Sequence, residues 1–163
     1  GTSWHWVDPV AGAAKAAQVL RRPDPGRRGG RLAVFWHVFE LPPGVMEAFA
    51  EVYERAVPDS PFDFRAAMSA MDMYQLMFTK AADGIREVGA FDDPEQWRFD
   101  WEHTYTRDEW LDQMPTHGAL TNLSATKVQE VLDGVGGAID ALGGAFTMRY
   151  ATVAVTAART DAS

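Results

Sequence analysis

Residues 4–38 read WHWVDPVAGAAKAAQVLRRPDPGRRGGRLAVFWHV, and this stretch decides the fold class. From Asp8 onward apolar residues recur at helical spacing, which predicts a helix with Asp8 as its N-cap that runs to Leu20. After a Gly-rich turn, residues 32–36 form a continuous apolar run, typical of a parallel strand buried on both faces. The neighbour that such a strand needs would naturally lie before Trp4. The stretch therefore predicts one part of an α/β sheet.

Helical patterns occupy the middle of the chain. Pro42 and Pro43 begin a second helix with one apolar face, and Pro58 ends it. Residues 62–78 are rich in aromatic residues and methionine and are predicted to be helical with irregular parts. Thr79 is expected to cap a third helix that ends at Val88. Together these segments predict a helical, lid-like region at about 40–78. Its methionines are typical either of a lid over an apolar acceptor or of a hydrophobic core.

The last third of the chain contains two predicted strands and two predicted helices. Residues 96–105 alternate in polarity, as in a half-buried strand, with Trp97, Phe99, Trp101 and His103 on one face. Residues 106–109 fit a capping box for a short helix to Gln113, and Ser124 caps a helix that ends near Leu142. The final strand, 145–157, changes apolar parity, which indicates a bulge or burial on both faces. No linker is apparent, so residues 1–163 are predicted to form a single domain.

Composition restricts the partners of the chain. Fifteen Lys and Arg against 23 Asp and Glu give a net charge of −8, which disfavours nucleic acid and anionic membrane surfaces. The arginines between residues 21 and 31 alternate with prolines and glycines and indicate a solvated loop. Cysteine is absent, which excludes disulfides and suits a cytoplasmic protein. The four histidines lie far apart in sequence, so no metal site is predicted.

Three segments carry a resemblance to a known family. They are residues 3–8 (SWHWVD), residues 19–36 with their VLR and GGRLAVFW parts, and residues 150–157 (YATVAVTA). In this order they resemble the C-terminal half of class I S-adenosylmethionine-dependent methyltransferases, in the small-molecule branch that includes trans-aconitate-type enzymes. Residues 22–28 differ from the family as an insertion in a turn that is normally short, and His37 stands where Asn is common.

The resemblance implies a fold and a cofactor. The fold would be the C-terminal part of a Rossmann-like sheet, strands five to seven, mixed, with an antiparallel last strand and helices on both faces. The cofactor would be S-adenosylmethionine, although the family's Gly-rich loop and ribose-binding acidic residue lie in the other half of the fold. The Gly-rich residues 134–137 follow no predicted strand and lie inside a helical pattern, which argues against a cofactor loop.

The resemblance also implies site residues. His5 would be the catalytic base, because the segment after the fourth strand faces the methyl group in the family; alternatively it is a structural histidine between packed tryptophans. Trp4 and Trp6, with His5, would line the cofactor pocket, since aromatic faces attract a sulfonium. His37, just beyond the end of its strand, Tyr74 and His117 are the candidate substrate-binding residues.

Three functions remain open from the sequence. The chain takes part in S-adenosylmethionine-dependent methyl transfer to a small molecule, the rest of the fold being supplied from elsewhere; or it is a non-catalytic remnant or interaction module of methyltransferase origin. The third alternative is a stand-alone α+β binding domain. An apolar strand at residues 32–36 without a neighbour would expose its edge, so we expect self-association, or a partner or the N-terminal helix covering that edge. The methyl acceptor itself cannot be read from the sequence.

Overall fold

The computed structural model describes residues 3–58, 71–116, 118 and 120–161. Within these ranges the chain forms five α-helices, three strands and two 3-10 turns. The turns are Trp4–Trp6 and Met114–Thr116. The helices are α1 (Pro9–Val19), α2 (Pro43–Ala56), α3 (Met71–Val88), α4 (Arg107–Gln113) and α5 (Ala125–Ala141), and the strands are β1 (Arg31–Glu40), β2 (Glu95–Thr106) and β3 (Ala145–Ala158).

The three strands form one open antiparallel sheet in the order β1-β3-β2. The Arg159 N–H donates to the Gly30 carbonyl (2.7 Å) beside β1, and the Arg107 N–H donates to the Gly144 carbonyl (3.0 Å) beside β2. The last strand is therefore antiparallel, as expected. The expected mixed sheet is not found among the described strands, because β3 separates the two strands that run in the same direction.

Strand β1 is buried on one side only, and the prediction of burial on both faces is wrong. Val34, Trp36 and Val38 are buried, whereas Phe35 and His37 between them are exposed. The continuous apolar run concealed this alternation because exposed positions also carry apolar side chains. The strand also continues to Glu40, well past its predicted end.

Strand β3 explains the change of parity in its sequence. Phe146 and Met148 are buried at even positions, whereas Val153, Val155 and Ala157 are buried at odd positions. Residues 153–157 are all buried, including Thr156 with no exposed surface. Of the two explanations left open, burial on both faces is therefore the one that applies to this part of the strand. Its central position in the sheet is the reason.

The chain divides into two compact units. Unit 1 comprises residues 1–38, 71–100 and 151–163, and unit 2 comprises residues 39–70 and 101–150. In unit 1, α1 and α3 pack on a core that contains Val34, Trp36, Val38, Phe78, Ile85, Val153 and Val155. The Asp8 side chain accepts from the Ala11 N–H (2.7 Å) and caps α1 as predicted. The buried Arg159 guanidinium donates to the carbonyls of Ala17, Ala90 and Thr160.

Unit 2 contains α2, α4 and α5 around an aromatic core. Phe146 contacts Phe49 and Trp110 edge-to-face, at centroid distances of 5.7 and 5.1 Å. The predicted capping box at Thr106 and Glu109 is present, as is the Ser124 cap of α5. Tyr150 hydrogen-bonds the hydroxyl of Tyr105 (2.7 Å) and stacks on Trp101 at 4.1 Å. Burial of the ring is the main cause that raises the pKa of Tyr150. The hydrogen bond to Tyr105 and the charge of Tyr105 raise the pKa further.

Two further predictions about single elements are wrong. Thr79 does not cap a helix, since it lies inside α3 and its hydroxyl donates to the Gln75 carbonyl (3.0 Å). Strand β2 is not half-buried: every residue from Glu95 to Thr104 is exposed. Of the expected lid-like region at 40–78, α2 and the start of α3 are helical, whereas residues 59–70 lie outside the described residues.

The glycines of α5 allow close helix packing in unit 2. A Cβ atom at Gly134 would lie 2.6 Å from Cγ1 of the buried Val52 in α2, whereas a Cβ at Gly137 would meet no atom within 4 Å. We predict that Gly134→Ala lowers the free energy of unfolding by about 1–3 kcal/mol through overpacking. The matched Gly137→Ala raises it by about 0.5–1 kcal/mol through helix propensity. Urea denaturation measures both, and equal effects would contradict the packing.

The raised pKa of Tyr150 predicts a loss of stability in alkali. An unfolded tyrosine ionises near pH 10, and the folded Tyr150 holds its proton to higher pH. The stability contributed by this group is complete below about pH 10 and is lost as the pH rises further. The free energy of unfolding should therefore fall less steeply between about pH 9 and about pH 11 in Tyr150→Phe than in the wild type. Equal slopes would show that Tyr150 does not cause the loss.

Candidate functional site

The candidate site is built on the short turn that precedes α1. The Val7 N–H donates to the Trp4 carbonyl (2.9 Å) and the Trp6 N–H to the Ser3 carbonyl (3.1 Å), so the turn Trp4–Trp6 is closed on itself. Asp8 then begins α1 without an intervening loop. Because the turn leads directly into a capped helix, its backbone is held at the start of α1.

Trp4 packs against the backbone of α1. A Cβ at Gly12 would lie 2.8 Å from Cη2 of Trp4 and 2.8 Å from Cγ1 of Val7, so only glycine leaves room for the indole there. The ring also packs on the core of unit 1. Its Nε1 atom is buried and finds no hydrogen-bond acceptor among the residues that the structure describes.

His5 is oriented by a buried tryptophan. The indole N–H of Trp36 donates to Nδ1 of His5 at 3.4 Å, and Trp36 itself is 1% exposed. Only an unprotonated Nδ1 can accept this bond, so neutral His5 carries its proton on Nε2. His5 itself is exposed. The arrangement thus presents the Nε2–H as a hydrogen-bond donor.

Trp6 lies outside this packing. Its side chain is 83% exposed, and its ring contacts the His5 imidazole at a centroid distance of 4.8 Å and an angle of 46°. The two tryptophans that flank His5 therefore differ: Trp4 is partly buried against the core of unit 1, and Trp6 is at the surface. The structural alternative for His5, a histidine between two packed tryptophans, applies on the Trp4 side only.

A groove of about 380 Å³ in unit 1 connects this turn to helix α3. We call it the Trp4 groove. It is lined mainly by apolar side chains; its exposed hydrogen-bond donors are His5 and Lys80, whereas the indole N–H of Trp4 is buried. Lys80 is exposed and carries a positive charge. The lining residues are Trp4, His5, Val7, Pro9, Leu76, Met77, Lys80 and Ala81.

The donor set of the Trp4 groove selects its ligands. An ammonium group and an imidazole N–H both donate, and a carboxylate can only accept. The remaining lining residues favour an apolar body, which gains free energy when it leaves water. The groove therefore matches the chemistry of a small molecule with an apolar part and a carboxylate.

The other predicted site residues do not line the Trp4 groove. His37 lies within β1 rather than beyond its end, so the predicted position is wrong. It points away from the Trp36 side of the strand, and its Nδ1 hydrogen-bonds the Thr152 hydroxyl (2.9 Å). Tyr74 is half-buried beside Phe78 in α3, and burial raises its pKa. His117 lies outside the described residues.

Sequence reasoning did not single out the α3 side of the groove. Leu76, Lys80 and Met77 are spaced three and four residues apart, which places them on neighbouring positions of one helix surface. That spacing was a usable signal. It was obscured because the methionines suggested a core and because the predicted start of a helix at Thr79 separated Lys80 from Leu76 and Met77.

The described ranges contain neither a candidate metal site nor a membrane-spanning helix. No group of three or more His, Asp or Glu side chains there could hold a metal ion. No helix in those ranges is long and apolar enough to span a membrane. The arginine-rich loop is exposed and closed by paired backbone hydrogen bonds between Asp24 and Arg27 (2.8 and 3.0 Å), with Gly26 at a φ of 81°.

Comparison with known proteins finds no relative. No protein-family model matches the chain, and no curated protein matches it.

The Trp36–His5 bond makes a prediction about the imidazole. In the wild type at a pH where His5 is neutral, long-range ¹H–¹⁵N NMR should show the Nε2–H form alone. Trp36→Phe removes the donor, so the two neutral forms should both be populated. The control is Trp97→Phe, which removes an exposed indole whose N–H donates to Glu95 (2.9 Å). A mixture in the wild type would contradict the hydrogen bond.

Proposed function

We propose that this chain takes part in S-adenosylmethionine-dependent methyl transfer to a small, apolar, carboxylated molecule, and that the Trp4 groove binds that acceptor. One observation carries the proposal: two donors, His5 and Lys80, line a groove that is otherwise mainly apolar. This is the chemistry that a carboxylated apolar acceptor requires. The acceptor's carboxylate would pair with Lys80, and its apolar part would lie along Leu76 and Met77.

The proposed role of His5 is to position the acceptor. With Trp36 donating to Nδ1, the imidazole offers a proton at Nε2 and has no free acceptor atom. To act as a base at Nε2, as the resemblance implies, His5 would first have to move its proton to Nδ1 and lose the bond from Trp36. Donation from Nε2 to an acceptor oxygen requires no such change.

S-adenosylmethionine fits the Trp4 groove only in part. Lys80 could pair with the carboxylate of its methionine part, and the face of Trp4 could contact a sulfonium. However, Lys80 would repel the sulfonium charge, and none of the described residues that line the groove has a carboxylate to accept from the ribose hydroxyls. In the proposed role the cofactor is therefore held by residues outside this groove, and the chain's own residues bind and orient the acceptor.

The resemblance supports the proposal through element order. The turn Trp4–Trp6 comes immediately before α1, β1 follows, and the last strand is antiparallel, as the methyltransferase resemblance implies. In the methyltransferase role the free edge of β1 would pair with a strand of the remaining fold. We propose that this edge is otherwise covered by self-association or by a partner, and that the protein is cytoplasmic, as its lack of cysteine suits.

The second candidate function is a non-catalytic remnant or interaction module. It is favoured by the absence of a ribose-binding carboxylate among the residues that line the groove. Titration of the chain with S-adenosylmethionine by calorimetry separates the two functions. Binding at millimolar concentration or better excludes the remnant. No binding of the cofactor together with no binding of a carboxylated apolar molecule excludes the acceptor role.

The groove makes a prediction with simple probes. Hexanoate should bind the chain and hexanol should bind more weakly, because only hexanoate can pair with Lys80. Lys80→Ala should weaken hexanoate binding about threefold to fivefold and leave hexanol binding unchanged. Lys15→Ala, at an exposed position of α1, is the matched control and should change neither. NMR titration of the His5 and Ala81 signals reports the site. Equal losses in the two lysine variants would contradict the assignment.

A further inference from the structure

Strand β2 is an exposed edge of the sheet. It lies at one end of the order β1-β3-β2, and ten consecutive residues, Glu95 to Thr104, are exposed. Its side chains include Trp97 and Phe99, which are 41% and 57% exposed. Edge strands of this length expose unpaired N–H and C=O groups that can pair with another strand. The edge position and the exposed aromatic side chains thus leave β2 open to pairing with a further strand.

The N–H and C=O groups of alternate residues in β2 point to opposite sides, so only every second residue can pair with a strand at the free edge. The Arg107 N–H donates to the Gly144 carbonyl of the β3 side, and the contacts Thr104–Thr147 (2.8 Å) and Trp101–Tyr150 (4.1 Å) keep the same register inside β2. Odd-numbered residues of β2 therefore direct their backbone groups to β3, and the bond of opposite parity, from the Asp92 N–H to the Ala158 carbonyl, lies before the strand begins. The even-numbered residues then direct their N–H and C=O groups to the free edge. These include Arg98 and Asp100, which carry opposite charges two residues apart.

We propose that β2 pairs antiparallel with β2 of a second copy of this chain, with Phe99 on the twofold axis. In this register Arg98 of each copy lies opposite Asp100 of the other, and both members of each pair are even-numbered, as the outward backbone groups require. Two ion pairs thus flank the axis. The inference is independent of methyl transfer and of the Trp4 groove.

Among the neighbouring registers that keep even-numbered residues paired, this is the one in which no like charges lie opposite each other. Shifting the pairing by one residue on each strand in one direction places Arg98 opposite Arg98 of the second copy. The opposite shift places Asp100 opposite Asp100, although it also places Arg98 opposite Glu102. Like charges directly opposite each other are destabilising. The proximity of Arg98 Nε to Asp100 Oδ1 within one strand (2.8 Å) shows that these side chains occupy one side of the strand, as cross-strand pairing requires.

The aromatic residues favour the same register. Phe99 is odd-numbered, so on the axis it forms a pair without backbone hydrogen bonds, in which opposite side chains approach most closely. Aromatic cross-strand pairs stabilise antiparallel sheets. Each copy would bury one exposed Phe99 ring against the other. A second copy in this register therefore pairs the outward backbone groups of β2, places Arg98 opposite Asp100 and buries the ring of Phe99.

Charge reversal tests the proposal. Sedimentation equilibrium at about 100 µM, where an interface with a micromolar Kd is largely formed, should give a dimer for the wild type. Arg98→Glu and Asp100→Arg should each weaken dimerisation about tenfold or more, because each creates two like-charge contacts. The double variant Arg98→Glu/Asp100→Arg restores two opposite-charge pairs and should recover the dimer. Lys15→Glu, an exposed change of the same charge on α1, should remain dimeric.

Cross-linking tests the register. The chain has no cysteine, so a single introduced thiol is the only one present. Phe99→Cys on the axis should form an intermolecular disulfide under mild oxidation, since the facing Cα atoms of such a pair are about 4.5 Å apart. Gln96→Cys on the same edge should not, because its two copies would be about 20 Å apart.

Three results would overturn the proposal. The first is a wild type that stays monomeric at about 100 µM. The second is a dimer that both single charge reversals leave intact, which would place the interface elsewhere, for example on β1. The third is equal cross-linking of Phe99→Cys and Gln96→Cys. Circular dichroism of every variant shows that it is folded, and recovery of the dimer by the double reversal excludes a general loss of structure.

Discussion

The pairing of β3 with both β1 and β2 is the constraint on which the described structure depends. A central strand must satisfy its backbone groups on both sides and bury side chains of both parities, and β3 does so with small and apolar residues from Val153 to Ala157. Its one fully buried hydroxyl, Thr156, donates to the Leu32 carbonyl (2.8 Å) and accepts from Arg31 (3.3 Å). Burying that hydroxyl without partners would cost free energy, so these bonds also help to fix the register between β1 and β3.

The Trp4 groove depends on packing behind it rather than on its lining alone. Gly12 admits the Trp4 ring, and the indole of Trp36 reaches His5 from the core of unit 1. A buried N–H that lacks an acceptor is costly, so the bond to His5 stabilises the core and at the same time fixes the proton of the imidazole. One hydrogen bond therefore couples the core to the proposed chemistry. Trp36, which does not line the groove, determines that His5 presents its Nε2–H to a ligand.

Patterns within a few residues predicted most of the helices and strands, but not which of their residues are buried. The caps at Asp8, Thr106 and Ser124 were read correctly because capping is decided within four residues. The burial of β1 and β2 was misread because it depends on which strand is their neighbour. Likewise, Trp4 and His5 were identified from a short motif, whereas Lys80 joins them only through the packing of α3 beside the turn. His37 was misplaced because the end of a strand depends on its pairing.

By itself the sequence determined the helix caps at Asp8, Thr106 and Ser124, the presence of three strands, the absence of disulfides and the tryptophan–histidine segment that leads into α1. These features follow from composition and from contacts between near neighbours. Tertiary structure alone decided that β3 is central, that β2 remains exposed, that α3 is continuous through Thr79, and which nitrogen of His5 carries the proton. These features depend on residues far apart in the chain, such as Trp36 for His5 and Gly144 for Arg107. No local pattern encodes such pairs, since their free energy is gained only when the chain has folded.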